Sequence, residues 1–415
     1  MEAACAGCRP GGWNDRSAAV PGVEACREDP YTDANLTDPY PLFERMRAAG
    51  PAVYLEKYGV LAFTRYAECK DILADHATFI NGAGVGPRNL HREPSWKPQG
   101  ILDSDPPVHT RMRKAMNTVI SPRGVRALRA GFEAYAAELL PRLLARGRID
   151  GIADLAQAFP LRAFGDAVGI PREGRAENLV RQGAMNFSYF GPEDSRAQHF
   201  IDRAAGTFEW VMDRTSRDSL APGGMGAQLW ELADEGAIDA QTAPLLVRAL
   251  LSAGLDTTII GIGNALKLLA EHPEEWAKLR ANPRLAKFAI DEVLRFDSPF
   301  QSFFRTTATD TEFRGIRIPA DTKIALFLGA ANRDAAQFGP DADRFRIERD
   351  ASSMIAFGNG IHRCVGQPIT RLEMEVVLTW LAEHVERLEL DGEPVPFLHN
   401  TLKGWESLPL RLVAA

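Results

Sequence analysis

One of the five cysteines in this 415-residue chain has neighbours that could put it to chemical use. Cys364 lies in Phe357-Gly358-Asn359-Gly360-Ile361-His362-Arg363-Cys364-Val365-Gly366. The flanking glycines permit positive φ and let the backbone approach something flat or bulky. Such a loop can also aim backbone N–H groups at a thiolate, and hydrogen bonds to sulfur tune the potential of a bound metal. A helix starting just after the cysteine would favour the anion through its dipole. The plainer alternative is a buried structural cysteine on a glycine-rich turn. Phe, three Gly, His and Cys at these offsets arise by chance on the order of once in a million chains, which favours the chemical reading.

Other constellations carry weaker signals. Asp105-Pro106-Pro107-Val108-His109 opens a helix, and His109 and Arg113 share a face that could meet one anion. With Arg111 and Lys114 beside them, a solvated basic face is the alternative. Leu250 to Thr258 interrupts a long apolar helix with Gly254 and the acid–alcohol pair Asp256-Thr257. Small residues and a buried acid are locally unfavourable there, so the segment is either a functional site or a kink without chemistry. Glu292 and Arg295 are opposite charges three apart, by itself a common surface pair. Phe187, Tyr189 and Phe190, with Phe300, Phe303 and Phe304, are either plain core or an aromatic pocket.

The decapeptide around Cys364 resembles the haem-ligand signature of the cytochrome P450 superfamily, in its bacterial FGxGxHxCxG form. The resemblance extends from about Asp38 to Leu412. It implies a mainly α, single-domain cytochrome P450 fold with small β-sheets, and Cys364 as thiolate ligand of haem b (iron protoporphyrin IX). Phe357 and Gly358 would lie in the cofactor-binding loop, and His109, Arg113, Arg305 and His362 would be donors to the haem propionates. Glu292 and Arg295 resemble the superfamily's ExxR motif, completed by Arg344, with a structural role. Leu250–Thr258 resembles the oxygen-binding AGxDTT segment, so Thr257 would stabilise bound dioxygen and Asp256 gate protons. The implied activity is a monooxygenase served by a 2Fe–2S ferredoxin and an NAD(P)H-dependent ferredoxin reductase, the ferredoxin docking near Arg363 and Arg371. A peroxide-driven peroxygenase lacks the acid–alcohol pair, and a non-catalytic haem sensor or carrier has no use for it.

At a finer level, LLVRALLSAGLDTT (245–258), Phe303–Thr307, Cys364–Gln367 and NTLKGWESLP (400–409) resemble the bacterial subfamily that oxidises para-substituted benzoates. That implies O-demethylation or hydroxylation of a methoxy- or alkyl-substituted benzoate or phenol, with Phe187, Phe190, Arg248, Ser252, Ala253, Phe300 and Phe303 at the substrate. The alternative is another small hydrophobic or natural-product substrate. The sequence departs from the subfamily at two places. Ala83 stands where the carboxylate-binding Arg is expected, and Ala249 rather than Ser follows Arg248. Ser252 remains, and Arg88 or Arg92 could compensate; failing that, a neutral methoxyphenol or related aromatic becomes a credible substrate.

These residues need a scaffold. Spacing predicts helices over Pro39–Ala49 (capped by Asp38), Tyr66–Ala74, Val125–Ala145, Arg175–Phe187, Ser195–Asp218, Thr242–Leu269, Pro273–Ala281, Pro283–Phe296 and Gln367–His384. Strands are predicted at Val53–Leu55, Val60–Thr64, Phe303–Ala308, Glu312–Ile318, Lys323–Phe327, Leu388–Leu390 and Leu408–Val413. A long loop spans 80–108, a length that usually signals function. Residues 1–30 read as a loose tail, in which Cys5-Ala6-Gly7-Cys8 lacks the second ligand pair zinc needs. Residues 31–415 form one domain, without repeats or linker. A balance of 48 Lys+Arg against 55 Asp+Glu offers no footprint for nucleic acid. No uncharged apolar run is long enough to span a membrane, and the N-terminus lacks the pattern of a signal peptide. Sparse cysteine fits a reducing, cytoplasmic setting, and a monomer is expected.

Overall fold

The computed structural model describes residues 21–92 and 100–415. Cys5 and Cys8 lie outside them. The strands are β1 (Glu24–Cys26), β2 (Val53–Leu55), β3 (Val60–Phe63), β4 (Phe79–Ile80), β5 (Arg148–Asp150), β6 (Ser302–Thr307), β7 (Thr311–Phe313), β8 (Ile316–Ile318), β9 (Lys323–Phe327), β10 (Val385–Leu390), β11 (Val395–Leu398), β12 (Lys403–Ser407) and β13 (Pro409–Ala414). They form a six-stranded sheet β1-β2-β3-β9-β6-β4, a three-stranded sheet β10-β13-β5, and the pairs β11-β12 and β7-β8.

The remainder is helical around one large apolar core. At its centre lie the helices Thr242–Gly254 and Asp256–Glu271. The second is buried on nearly every face, as an all-round apolar helix must be. Together they are long and apolar enough to cross a bilayer by composition, yet most of that stretch is buried inside the fold. The helix Gln367–His384 packs against both Pro122–Arg146 and Ala286–Phe296.

Several elements differ from expectation. Residues 24–26 are not loose: β1 pairs in parallel with β2, and Arg27 and Arg45 reach Glu56 and Glu28 across the junction. The first predicted helix starts at Tyr40, with Pro39 at the cap position and Asp38 Oδ1 accepting from Tyr40 N–H at 3.4 Å. The expected helix 195–218 is two helices, Ser195–Arg203 and Thr207–Arg214, broken where Gly206 takes φ +80. The expected strand 312–318 is the hairpin β7-β8, turned at Arg314 and Gly315, both with positive φ. The helix over 242–269 breaks at Leu255, where ψ falls to −66. The hairpin β11-β12 was not foreseen.

The described part of loop 80–108 is pinned at several points. Asp105 accepts hydrogen bonds from the N–H groups of Asn81 (3.1 Å) and Gly82 (2.7 Å). Asn89 and Arg92 both bond Asp321 at the end of the turn before β9.

Candidate active site

The cysteine loop is built as its glycines suggest. Cys364 N–H donates to Phe357 O at 2.8 Å, closing the loop on itself, and a 3-10 turn Gly360–His362 leads into the cysteine. A Cβ at Gly360, where φ is +70, would stand 2.3 Å from Leu73 O, so only glycine lets the loop lie on the helix Tyr66–Ala74. The helix Gln367–His384 begins three residues after Cys364, and the backbone N–H groups of Gly366 and Gln367 favour the thiolate. Burial raises the thiol pKa, opposed by these N–H groups and by the charges of Arg113 and Arg371. Cys364 nonetheless keeps accessible surface. A thiol both desolvated and accessible faces space that side chains do not fill.

Around that loop the fold gathers basic groups. His109 and His362 lie ring to ring, centroids 4.2 Å apart, and neither Nε2 has a hydrogen-bond partner. Arg305 is buried on β6, its recorded bond going to Phe304 O. Burial and the charges of His109, Arg305, Arg113 and His76 push the His362 pKa down to about 2. Burial lowers Arg305 to about 10, with Asp105 opposing. Two guanidinium groups and two imidazoles converging with one nearby carboxylate are unfavourable by themselves and become favourable around a bound dianion. With the thiol beside them and unpaired imidazole nitrogens among them, these residues fit a haem and its two propionates. Arg113 has a second task, donating to Arg363 O at 2.5 Å and so tying the helix Val108–Val119 to the cysteine loop.

On the central helices the break at Leu255 exposes chemistry. Thr257 and Thr258 hydroxyls donate to Ala253 O (3.0 Å) and Gly254 O (3.1 Å), the carbonyls just before the break. Ala253 is exposed between half-buried neighbours. Asp256 is buried, its Oδ2 has no partner, and burial raises its pKa well above the carboxylate range. Its carboxyl packs on Gly183 of the helix Arg175–Ser188. Ser252 accepts from Asn186 Nδ2 at 2.9 Å, and Asn186 in turn accepts from Gln182. Nothing in the sequence signalled Gly183 or Asn186, which lie on another helix.

Four of the predicted aromatics converge. Phe300 stacks on Phe303 at 4.0 Å, while Phe187 meets Phe300 at 5.5 Å and Phe190 at 5.9 Å. Ile260, one helical turn beyond Thr257, belongs to the same cluster, as does Leu402. Two residues drop out. Phe304 alternates to the other face of β6 and packs with Phe43 and Phe327 in a separate cluster. Tyr189 is 53% exposed and points away. Because Phe303 and Arg305 share a face of β6, one strand joins the aromatic cluster to the basic one.

Other expectations change. Arg88 pairs with Glu193 (3.3 Å) and Arg92 with Asp321 (3.0 Å), so both are already engaged, and Ala83 is fully buried. Arg248 is half-buried one turn before Ser252. Arg371, expected at a docking surface, is held by Asp291 (2.8 Å) and lies over the Phe357 ring, whereas Arg363 is exposed. Glu292 and Arg295 form a fully buried bidentate pair at 2.7 and 2.9 Å. Their third partner is Arg349, whose Nε reaches Glu292 at 3.2 Å; Arg344 contributes only its carbonyl, its side chain facing out.

A family model described as Cytochrome P450 matches residues 231–404. The chain is 46% identical over 396 residues to "Cytochrome p450 CYP199A2" of Rhodopseudomonas palustris, covering 95% of this chain and 96% of that protein. It is 32% identical to the cytochrome P450 monooxygenase PikC of Streptomyces venezuelae, covering 90% and 91%. The crystal structure of epothilone D-bound cytochrome P450epoK superposes with a TM-score of 0.83 at 25% identity, covering 94% of this chain and all of that one.

Proposed function

The chain belongs to the cytochrome P450 family and is a haem b-dependent monooxygenase, and on that premise we propose that its substrate is a small methoxy- or alkyl-substituted aromatic. The observation that carries this is the cluster of Phe187, Phe190, Phe300 and Phe303, joined through Ile260 to the helix bearing Asp256 and Thr257. Faces and edges of four rings suit a flat apolar guest. With Ala83 buried and Arg88 and Arg92 already paired, a neutral methoxyphenol is favoured over a benzoate.

Cys364 would hold the iron, and His109, Arg113, Arg305 and His362 the propionates, with Phe357 and Gly358 in the loop behind. Bound there, the haem supplies dioxygen activation at a thiolate-ligated iron, whose electron donation favours O–O cleavage. The chain's own residues supply the rest. Asp256, whose burial favours the protonated carboxyl, lies next to Thr257 in sequence. The Thr257 hydroxyl, which donates to Ala253 O at the helix break, would hold a proton at the reacting centre. The phenylalanine walls exclude water and orient the ring. For O-demethylation the balance is one methoxyarene, one dioxygen, two electrons and two protons giving a phenol, formaldehyde and water. The electrons come from NAD(P)H through a reductase and a 2Fe–2S ferredoxin docking beside the exposed Arg363, in a cytoplasmic, monomeric enzyme.

The test is turnover with a surrogate ferredoxin and reductase on para-methoxyphenol. Formaldehyde and hydroquinone in equal amounts support the reading. Loss of NAD(P)H with no oxidised aromatic product, across methoxyphenols and methoxybenzoates alike, removes it.

A further inference from the structure

The turn between β11 and β12 meets both walls of the aromatic cluster, and His399 organises it. Its Nδ1 lies 3.1 Å from Thr401 N and 3.2 Å from Leu402 N, so it accepts from both, and the ring proton is assigned to Nε2. Nε2–H then points at Ala184 O (2.9 Å) and Ser188 Oγ (3.2 Å), at the end of the helix that carries Phe187. The imidazole is fully buried, packed against Phe200 at 4.7 Å and Phe397 at 5.5 Å.

The residues that His399 fixes in turn grip the two walls. Thr401 Oγ1 donates to Phe187 O at 2.9 Å. Asn400 donates to Pro192 O (3.0 Å) and Asp194 (2.9 Å), beyond Phe190. On the other side Gln301 N–H donates to Thr401 O (2.9 Å), Lys403 N–H donates to Pro299 O (2.9 Å), and Phe300 and Leu402 form a β-bridge. The spacing of Phe187 and Phe190 from Phe300 is therefore set through a turn whose backbone closes on one imidazole.

We propose that His399 is a positioning residue for substrate selection, setting the width of the aromatic pocket by locking the helix end at Ala184–Ser188 to the Phe300 segment. This rests on the reading of the phenylalanine cluster as the substrate pocket. Neither ring nitrogen is spare for chemistry, so its role is geometric. Loss of the two sets of hydrogen bonds frees the Phe187 wall from the Phe300 wall and admits wider guests.

The experiment uses the haem-loaded protein, with the reduced CO difference spectrum confirming intact thiolate ligation in each variant. Spin-state titrations measure Kd for para-methoxyphenol and for a methoxynaphthol in wild type, His399→Phe, His399→Gln and Phe187→Ala. His399→Phe keeps a ring and removes both hydrogen-bonding edges; it is expected to lower the preference for the smaller guest about 5-fold. His399→Gln, which can donate and accept, is expected to restore most of it. Phe187→Ala alters the ratio directly. A ratio unchanged in His399→Phe but altered in Phe187→Ala overturns the role of His399 and leaves the pocket standing. A ratio unchanged in both overturns the pocket reading itself. If His399→Phe yields no haem protein, Thr401→Val, which removes the hydroxyl's contacts with Phe187 O and His399 Nδ1 and keeps the imidazole, decides: the same shift supports the lock, and an unchanged ratio refutes it.

Discussion

The carboxyl of Asp256 occupies the space a side chain at position 183 would need: a Cβ on Gly183 would stand 1.8 Å from Asp256 Oδ2. The absence of one methyl group on a neighbouring helix thus lets the acid stay buried beside Thr257. Gly183→Ala should push Asp256 aside, destabilise the fold by about 1–3 kcal/mol, and lower product formed per NAD(P)H. Product yield and thermal unfolding measured together check this. An unchanged yield with unchanged stability would show that the acid's position does not matter.

Thr257→Ala should separate reductant use from oxidation. NAD(P)H consumption continues while product falls by roughly 10-fold or more and peroxide rises, because a positioned proton-transfer group is lost. Product per NAD(P)H equal to wild type would remove Thr257 from proton delivery.

The buried trio should be a matter of stability. Breaking it with Glu292→Ala leaves Arg295 uncompensated inside the protein and Arg349 with Asp341 alone, at a cost of about 3–5 kcal/mol. Arg349→Ala should also be damaging, since Arg349 bridges Glu292 and Asp341. Arg344→Ala, an exposed side chain, should stay within about 0.5 kcal/mol of wild type. Denaturant titrations rank the three; Arg344→Ala falling with the others would restore it to the trio.

His399 should leave a mark on acid stability. Burial, aided by the Arg196 charge and opposed by Asp194 and by Ala184 O, pushes its pKa down to about 4 from the ordinary 6.5. The unfolded imidazole takes up a proton below about pH 6.5 while the folded one does not, so its stabilising contribution is full above that pH and is lost as pH falls toward 4. The loss is about 1.4 kcal/mol per pH unit in that window. Stability of His399→Gln measured from pH 7 to 4.5 should fall less steeply than that of wild type; parallel curves would mean that the imidazole titrates normally.

What could be read from the sequence was local. The cysteine loop, the acid–alcohol pair and Glu292–Arg295 each fit within ten residues; spacing put Glu292 and Arg295 on one helix face, but as a surface pair, whereas the fold buries them. The split of Phe303 from Phe304 was also available, because a strand alternates its side chains. Arg344 and Arg349 lie in one irregular segment, and only the path of that segment decides which side chain turns inward. Gly183, Asn186 and His399 were out of reach for a different reason. His399 and Ala184 are 215 positions apart, and their pairing follows from helix and hairpin packing rather than from any spacing in the chain. The same holds for Asn186 and Ser252, 66 apart.

The central claim is that the aromatic pocket takes a small neutral arene without needing a carboxylate. The ferric spin-state change on adding para-methoxyphenol, set beside para-methoxybenzoate in the same buffer, tests it most directly. The account predicts a large shift with the phenol and a weaker one, at higher concentration, with the benzoate. A shift with the benzoate alone would contradict it and require a carboxylate-binding group that Ala83 and Ala249 do not supply.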